Sequence, residues 1–134
     1  MSRNTDREND ILMKREKMKI TLKGQIPSGK NAVKITRTGK RYPSPRFVAW
    51  RNVAIRQIIS QVGIVMRFSR PAAITIDYWP GDLRRRDVPG MADALFHLLE
   101  RYRIVLDDSL LINLVWRTHE IDRENPRTEI EIIG

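Results

Sequence analysis

Apolar and polar residues alternate along "KMKITLKG", with Met18, Ile20 and Leu22 on one side and lysine or threonine on the other. A period of two marks a half-buried strand, and Gly24 ends it. "IPSGKNAVKITRTGKRYPSP" then gathers Pro, Gly and basic residues. It predicts a basic arm or hairpin, with "RTGK" as the turn between "AVKIT" and "KRY". From Ser44 the period changes. Ser44 can cap, Pro45 suits the first helical position, and Phe47, Trp50, Ala54, Ile58 and Val62 recur at helical spacing, which predicts a helix over 44–62.

"PAAITIDYW" predicts a second strand ended by Pro80-Gly81. Beyond an arginine-rich loop, Met91, Leu95, Leu98 and Tyr102 share one face of a second helix, over about 90–101, and Ala94 and Leu99 widen that face. Such a stripe reads as core packing. "LINLVWRTHEI" and "RTEIEII" predict two more strands joined by "DRENP". The sum is an α+β fold: a single compact domain whose mixed or antiparallel sheet carries two main helices. Residues 1–16 mix both charges with few apolar anchors and read as a flexible or partly helical tail, in which Ile11, Leu12 and Met13 could dock on a partner. The folded domain is expected over 17–134.

Length and charge narrow the function. A chain of 134 residues fits one domain. Its 25 Lys and Arg against 16 Asp and Glu give a net charge of +9, which favours polyanionic partners, nucleic acid above all. The absence of cysteine excludes disulfides, zinc-thiolate sites and thiol nucleophiles. No apolar run approaches the ~20 residues of a membrane span, and the N-terminus lacks a signal peptide's apolar centre, so a cytoplasmic protein is expected. "PSGKN" lacks the glycine spacing and Lys-Ser/Thr ending of a phosphate-binding P-loop, so no nucleotide cofactor is expected. His97 and His119 have no second histidine at metal spacing and read as structural.

The chemistry concentrates in "RRRDVPGMAD", residues 84–93. Asp87, before Pro89, belongs at the mouth of the second helix, and Asp93 in its first turn. Acids there complement the helix dipole, so the pair reads equally as cap or as site. A helix over 90–101 is roughly 18 Å long, and five or six extended residues return about 16–20 Å. Asp107 and Asp108 could therefore come back beside Asp87 and Asp93, although an exposed Asp-Asp turn is the commoner use of that dipeptide. Grouped carboxylates repel one another unless a cation intervenes, and oxygen-only ligands suit Mg²⁺ or Mn²⁺. Arg84, Arg85 and Arg86 would then hold phosphate, or else pair with Asp82 and Asp87 on a solvated loop. Lys30, Arg37, Lys40, Arg41 and Arg46, on or beside the hairpin, could track a DNA backbone, with Tyr42 as a possible wedge between bases. Phe47 reads as core, and Trp50, Trp79 and Trp116 as core or dimer contact.

"IPSGKN", "YPSPRFVAWRNVAI", "RRRD", the amphipathic helix, "VLDD" and "PRTEIEI" follow one another in an order that resembles the RusA-like Holliday junction resolvases, over roughly residues 18–134. These are endonucleases typical of phages and prophages. The resemblance implies a homodimer that binds four-way DNA junctions and makes paired, Mg²⁺-dependent nicks. Asp87 matches the first acid of the family's Asp-x-Asp-Asn motif, and Asp108 the second acid of its downstream pair. Pro89 stands where the second motif acid is usual, Gly90 replaces the Asn, and Asp93 falls where some members carry lysine. The expectation is that Asp93 supplies the relocated carboxylate, giving Asp87, Asp93 and Asp108 as catalytic ligands with Asp107 assisting. The alternative is a junction-binding protein whose catalysis was lost with the acid at Pro89.

Overall fold

The structure, a computed structural model, describes residues 16–27, 33–63, 68–84 and 86–134. The expectations for the tail over 1–15, for "SGKN" including Lys30, and for Arg85 lie outside these residues. The period-two segment forms β1 (Lys17–Lys23), with Met18, Ile20 and Leu22 buried, and the hairpin forms β2 (Val33–Ile35) and β3 (Arg41–Pro43) as a separate two-stranded sheet. Gly39, at φ 83°, completes the turn, where a side chain would strain the backbone.

Helix α1 (Pro45–Val62) begins as its sequence dictates: the Ser44 hydroxyl accepts from the Phe47 N–H at 3.0 Å, and Pro45 occupies a position whose N–H would be unpaired. It ends at Gly63, whose N–H donates to the Ile59 carbonyl at 3.0 Å and whose positive φ turns the chain off the helix axis. Two glutamines on α1 address the outer edge of β1. The Thr21 N–H donates to Gln61 Oε1 at 2.8 Å while Gln61 Nε2 donates to the Thr21 carbonyl at 2.7 Å, and the Lys23 N–H donates to Gln57 Oε1 at 3.0 Å. Side-chain amides thus stand in for a neighbouring strand.

β4 (Ala72–Trp79), β5 (Leu111–Thr118) and β6 (Arg127–Ile133) join β1 in a sheet of order β1-β6-β4-β5. β6 runs antiparallel to β1 and β4, whereas β4 and β5 are parallel, so the sheet is mixed. Parallel neighbours need a crossover, and α2 (Val88–Arg101) supplies it. Met91, Leu95, Leu98 and Leu99 of α2 lie in one core with Ile74, Ile76 and Tyr78 of β4 and Ile130 and Ile132 of β6. α2 starts two residues earlier than its apolar stripe suggests. Asp87 is the N-cap, Pro89 sits inside the first turn, and Asp93 falls in the second. Beyond α2 the chain is pinned to residue 68: the Phe68 N–H donates to the Ile104 carbonyl at 3.0 Å, and the Leu106 N–H to the Phe68 carbonyl at 2.9 Å. A short 3₁₀ turn, Asp108–Leu110, then enters β5. No described helix is long and apolar enough to cross a membrane.

Candidate carboxylate cluster and basic face

The arginine-rich loop is organised by Asp82 rather than Asp87. Arg86 Nη2 donates to Asp82 Oδ1 at 2.5 Å and to the Asp82 carbonyl at 2.8 Å, and Nη1 donates to the Arg84 carbonyl at 2.6 Å. The Arg84 N–H and Gln25 Nε2 also reach the Asp82 carboxylate. With Arg86 as the main cause, the Asp82 carboxyl is held far below the usual carboxylate range. Arg86 is largely buried beside Tyr78, whose hydroxyl burial pushes up. Arg86 therefore fastens the loop, in keeping with the alternative reading of the arginine trio as partners of Asp82. Arg84 stays exposed, 3.8 Å from Asp82.

Asp87 does cap α2, accepting from the Gly90 N–H at 3.2 Å. A Cβ at Gly90 would run into that carboxylate, so the glycine makes the room in which Asp87 folds back. Asp93 is exposed one turn further on. At the opposite end of the same helix, Glu100, Asp107 and Asp108 each offer a carboxylate oxygen, all within 4.8 Å of one another. The Asp108 N–H donates to Glu100 Oε2 at 3.4 Å. Asp107 accepts from the Ser109 N–H at 2.9 Å, which holds its carboxyl below the ordinary value.

The fourteen residues of α2 span about 20 Å. The expected group of Asp87, Asp93, Asp107 and Asp108 therefore does not assemble within one chain. The cause is topological. β4 delivers the chain to Asp87 at one end of the sheet, and β5, being parallel to β4, starts from the other end, so Asp107 and Asp108 meet the last turn of α2 and not its first. Glu100, which the sequence reading missed, takes the place foreseen for Asp87. It lies seven residues after Asp93, on the same helix face and about 10 Å away along the axis. A groove of about 360 Å³ adjoins the cluster, lined by His97, Glu100, Arg101, Arg103, Val105 and Leu106. His97 is thus exposed on a groove rather than packed in the core. Three hard oxygen donors at this spacing can hold a divalent cation such as Mg²⁺ or Mn²⁺, which would relieve their mutual repulsion.

The positive charge is segregated along the chain. No Asp or Glu occurs between Glu16 and Asp77, a stretch that carries thirteen Lys and Arg. Within it, Arg37, Lys40 and Arg41 are exposed on the hairpin, Tyr42 is 45% exposed beside them, and Arg46 is exposed in the first turn of α1. Phe47 and Trp50, 5.6 Å apart between ring centroids, pack against the core, as does Trp116.

A second polar assembly sits on the sheet face away from α2. Asp77 accepts from Arg117 Nε at 2.7 Å and Nη2 at 3.1 Å, and lies 2.7 Å from His119 Nε2. His119 stacks on Trp79 at 4.2 Å, and the Arg127 guanidinium lies 4.0 Å from the Trp79 ring centroid. Arg117, then His119, hold the Asp77 carboxyl below its usual value against the opposing effect of burial. Each group here is engaged by a neighbour, so this assembly ties the end of β5 to β4. His119 has the structural role expected of it. No protein-family model and no curated protein matches the sequence.

Proposed function

We propose that the protein is a metal-dependent endonuclease acting on four-way or branched DNA, as its resemblance to the RusA-like resolvases implies. The observation that carries this reading is the grouping of Glu100, Asp107 and Asp108 carboxylates on a protein of net charge +9. When bound there, Mg²⁺ or Mn²⁺ supplies Lewis-acid activation of a phosphodiester and of water. The chain's own part is to hold the three carboxylates converged, and to bind the DNA backbone through Arg37, Lys40, Arg41 and Arg46. Exposed Arg84 can add a phosphate contact near Asp87. The homodimer implied by the resemblance would give two equivalent sites for two equivalent strands.

The placement of Asp87 favours a second reading. Its carboxylate caps α2 and is separated by the length of that helix from Asp108, which suits a protein that holds junction DNA without cutting it. Cleavage of a labelled four-way junction by wild type and Asp108→Asn distinguishes the two. Under the nuclease reading the variant loses metal-dependent nicking and retains binding. Binding without nicking by the wild type, in Mg²⁺ or Mn²⁺, supports the second.

A further inference from the structure

The turn that closes α2 is built on an unusual residue. The Arg103 N–H donates to the Glu100 carbonyl at 3.1 Å and the Ile104 N–H to the Leu99 carbonyl at 2.9 Å, the paired bonds that end a helix through one left-handed residue. That residue is ordinarily glycine, because a Cβ is disfavoured there. Here it is Arg103, at φ 61°, and among the described residues no other non-glycine has a positive φ. Buried Leu99 and Ile104 complete the turn, and glycine at 103 would close it with less strain. The arginine therefore needs an explanation outside the turn.

Arg103 lines the groove of about 360 Å³ beside the carboxylate cluster, together with Arg101, His97 and Leu106. Arg84, Arg86, Arg117 and Arg127 each pair with an aspartate, whereas among the described residues neither Arg101 nor Arg103 pairs with a carboxylate. Glu100 is close to both in sequence, yet its carboxylate converges on Asp107 and Asp108. The end of α2 thus presents three gathered acids beside two unpaired guanidiniums. The negative end of the helix dipole favours cations here, but Arg101 already supplies one without backbone strain.

We propose that the groove seats one phosphate of a nucleic-acid strand, held between Arg101 and Arg103, and so fixes where the strand crosses the Glu100, Asp107 and Asp108 carboxylates. This inference rests on the nuclease reading and adds to it the residues that position the strand at that cluster. Guanidinium forks match phosphate oxygens. A phosphodiester carries two free oxygens, one for the arginines and one for a cation held by the acids, so a single group uses both signs of charge. An acidic peptide would meet the arginines but gain nothing from the acids. His97, one turn before Arg101 on the same helix face, offers a ring nitrogen to the same anion. Leu106, 54% exposed, gives an apolar wall for the adjoining sugar.

Site-resolved NMR of the full chain, titrated with the dinucleotide dTpT in Mg²⁺ and in EDTA, tests this. The Arg101 and Arg103 Nε–H signals and the His97 ring signals should shift and saturate together. Arg103→Gly and Arg101→Gln should each weaken dTpT binding about fivefold, while Arg123→Gln, an equal loss of charge on an exposed loop elsewhere, should leave it unchanged. Arg103→Gly should also keep a denaturant midpoint at or above that of the wild type, which separates lost phosphate binding from a damaged turn. Groove signals unmoved by dTpT in both conditions, equal shifts with a tetraglutamate peptide, or full affinity in Arg103→Gly would overturn the proposal. A wild type that binds dTpT in the groove but never nicks a junction refutes the nuclease reading and leaves the phosphate site standing.

Discussion

At the residue scale, two aspartates show how a carboxylate's role follows from its neighbours. Asp77 is held by Arg117 and His119, and its lowered pKa means that it stabilises the fold above the ordinary carboxylate range and loses that effect as pH falls through its folded-state pKa. Asp77→Asn should therefore cost about 1 kcal/mol at neutral pH, given the exposure of Arg117, and nothing in strong acid. Urea midpoints of both proteins at neutral and acid pH measure this; an equal gap at the two pH values would refute it. Asp87 illustrates what the sequence concealed. The pair Asp87 and Asp93 was legible as either cap or site, and in this chain the Asp87 carboxylate lies in the capping position, in room that Gly90 leaves. Asp87→Ala should lose the cap and cost about 1 kcal/mol, whereas in Gly90→Ala the displaced carboxylate is offset by a helix-propensity gain of about the same size, so only the first should lower the denaturant midpoint.

At the scale of elements, periodicity carried most of the fold. The strand at Met18, Ile20 and Leu22, the hairpin turn at Gly39 and the helix opening at Ser44-Pro45 were all visible because local chemistry fixes them. The start of α2 was not, since Val88 and Pro89 lie before its apolar stripe and only the Asp87 cap defines the boundary. The parallel pairing of β4 with β5 was also hidden, because strand direction depends on where the crossover lands. That one fact moved Asp108 to Glu100. The glutamine guard on β1 is equally a tertiary feature, two side chains one helical turn apart meeting a strand some forty residues away. Removing it by Gln61→Ala should cost about 1 kcal/mol and speed amide exchange at Thr21. Unchanged protection at Thr21 would show that the amide contact contributes nothing.

At the scale of the whole molecule, charge is divided between an acid-free stretch over residues 17–76 and a C-terminal part that holds the acids discussed above. Folding displays the first on the hairpin and α1 and gathers three of the second at the end of α2. If the basic face binds DNA, junction affinity must fall with salt, and each phosphate-contacting charge removed at Arg37, Lys40, Arg41 or Arg46 should lower the log-log salt slope by about 0.9. A slope unchanged in the quadruple alanine variant would place the DNA elsewhere. Cleavage of an end-labelled four-way junction beside a matched linear duplex, in Mg²⁺, Mn²⁺ or EDTA, by wild type, Asp87→Asn and Asp108→Asn decides whether this protein is a nuclease. Symmetric paired nicks in the junction, dependent on metal and lost in Asp108→Asn, are the predicted result. Tight binding with no nick in either metal, or nicking undiminished in Asp108→Asn, would contradict it.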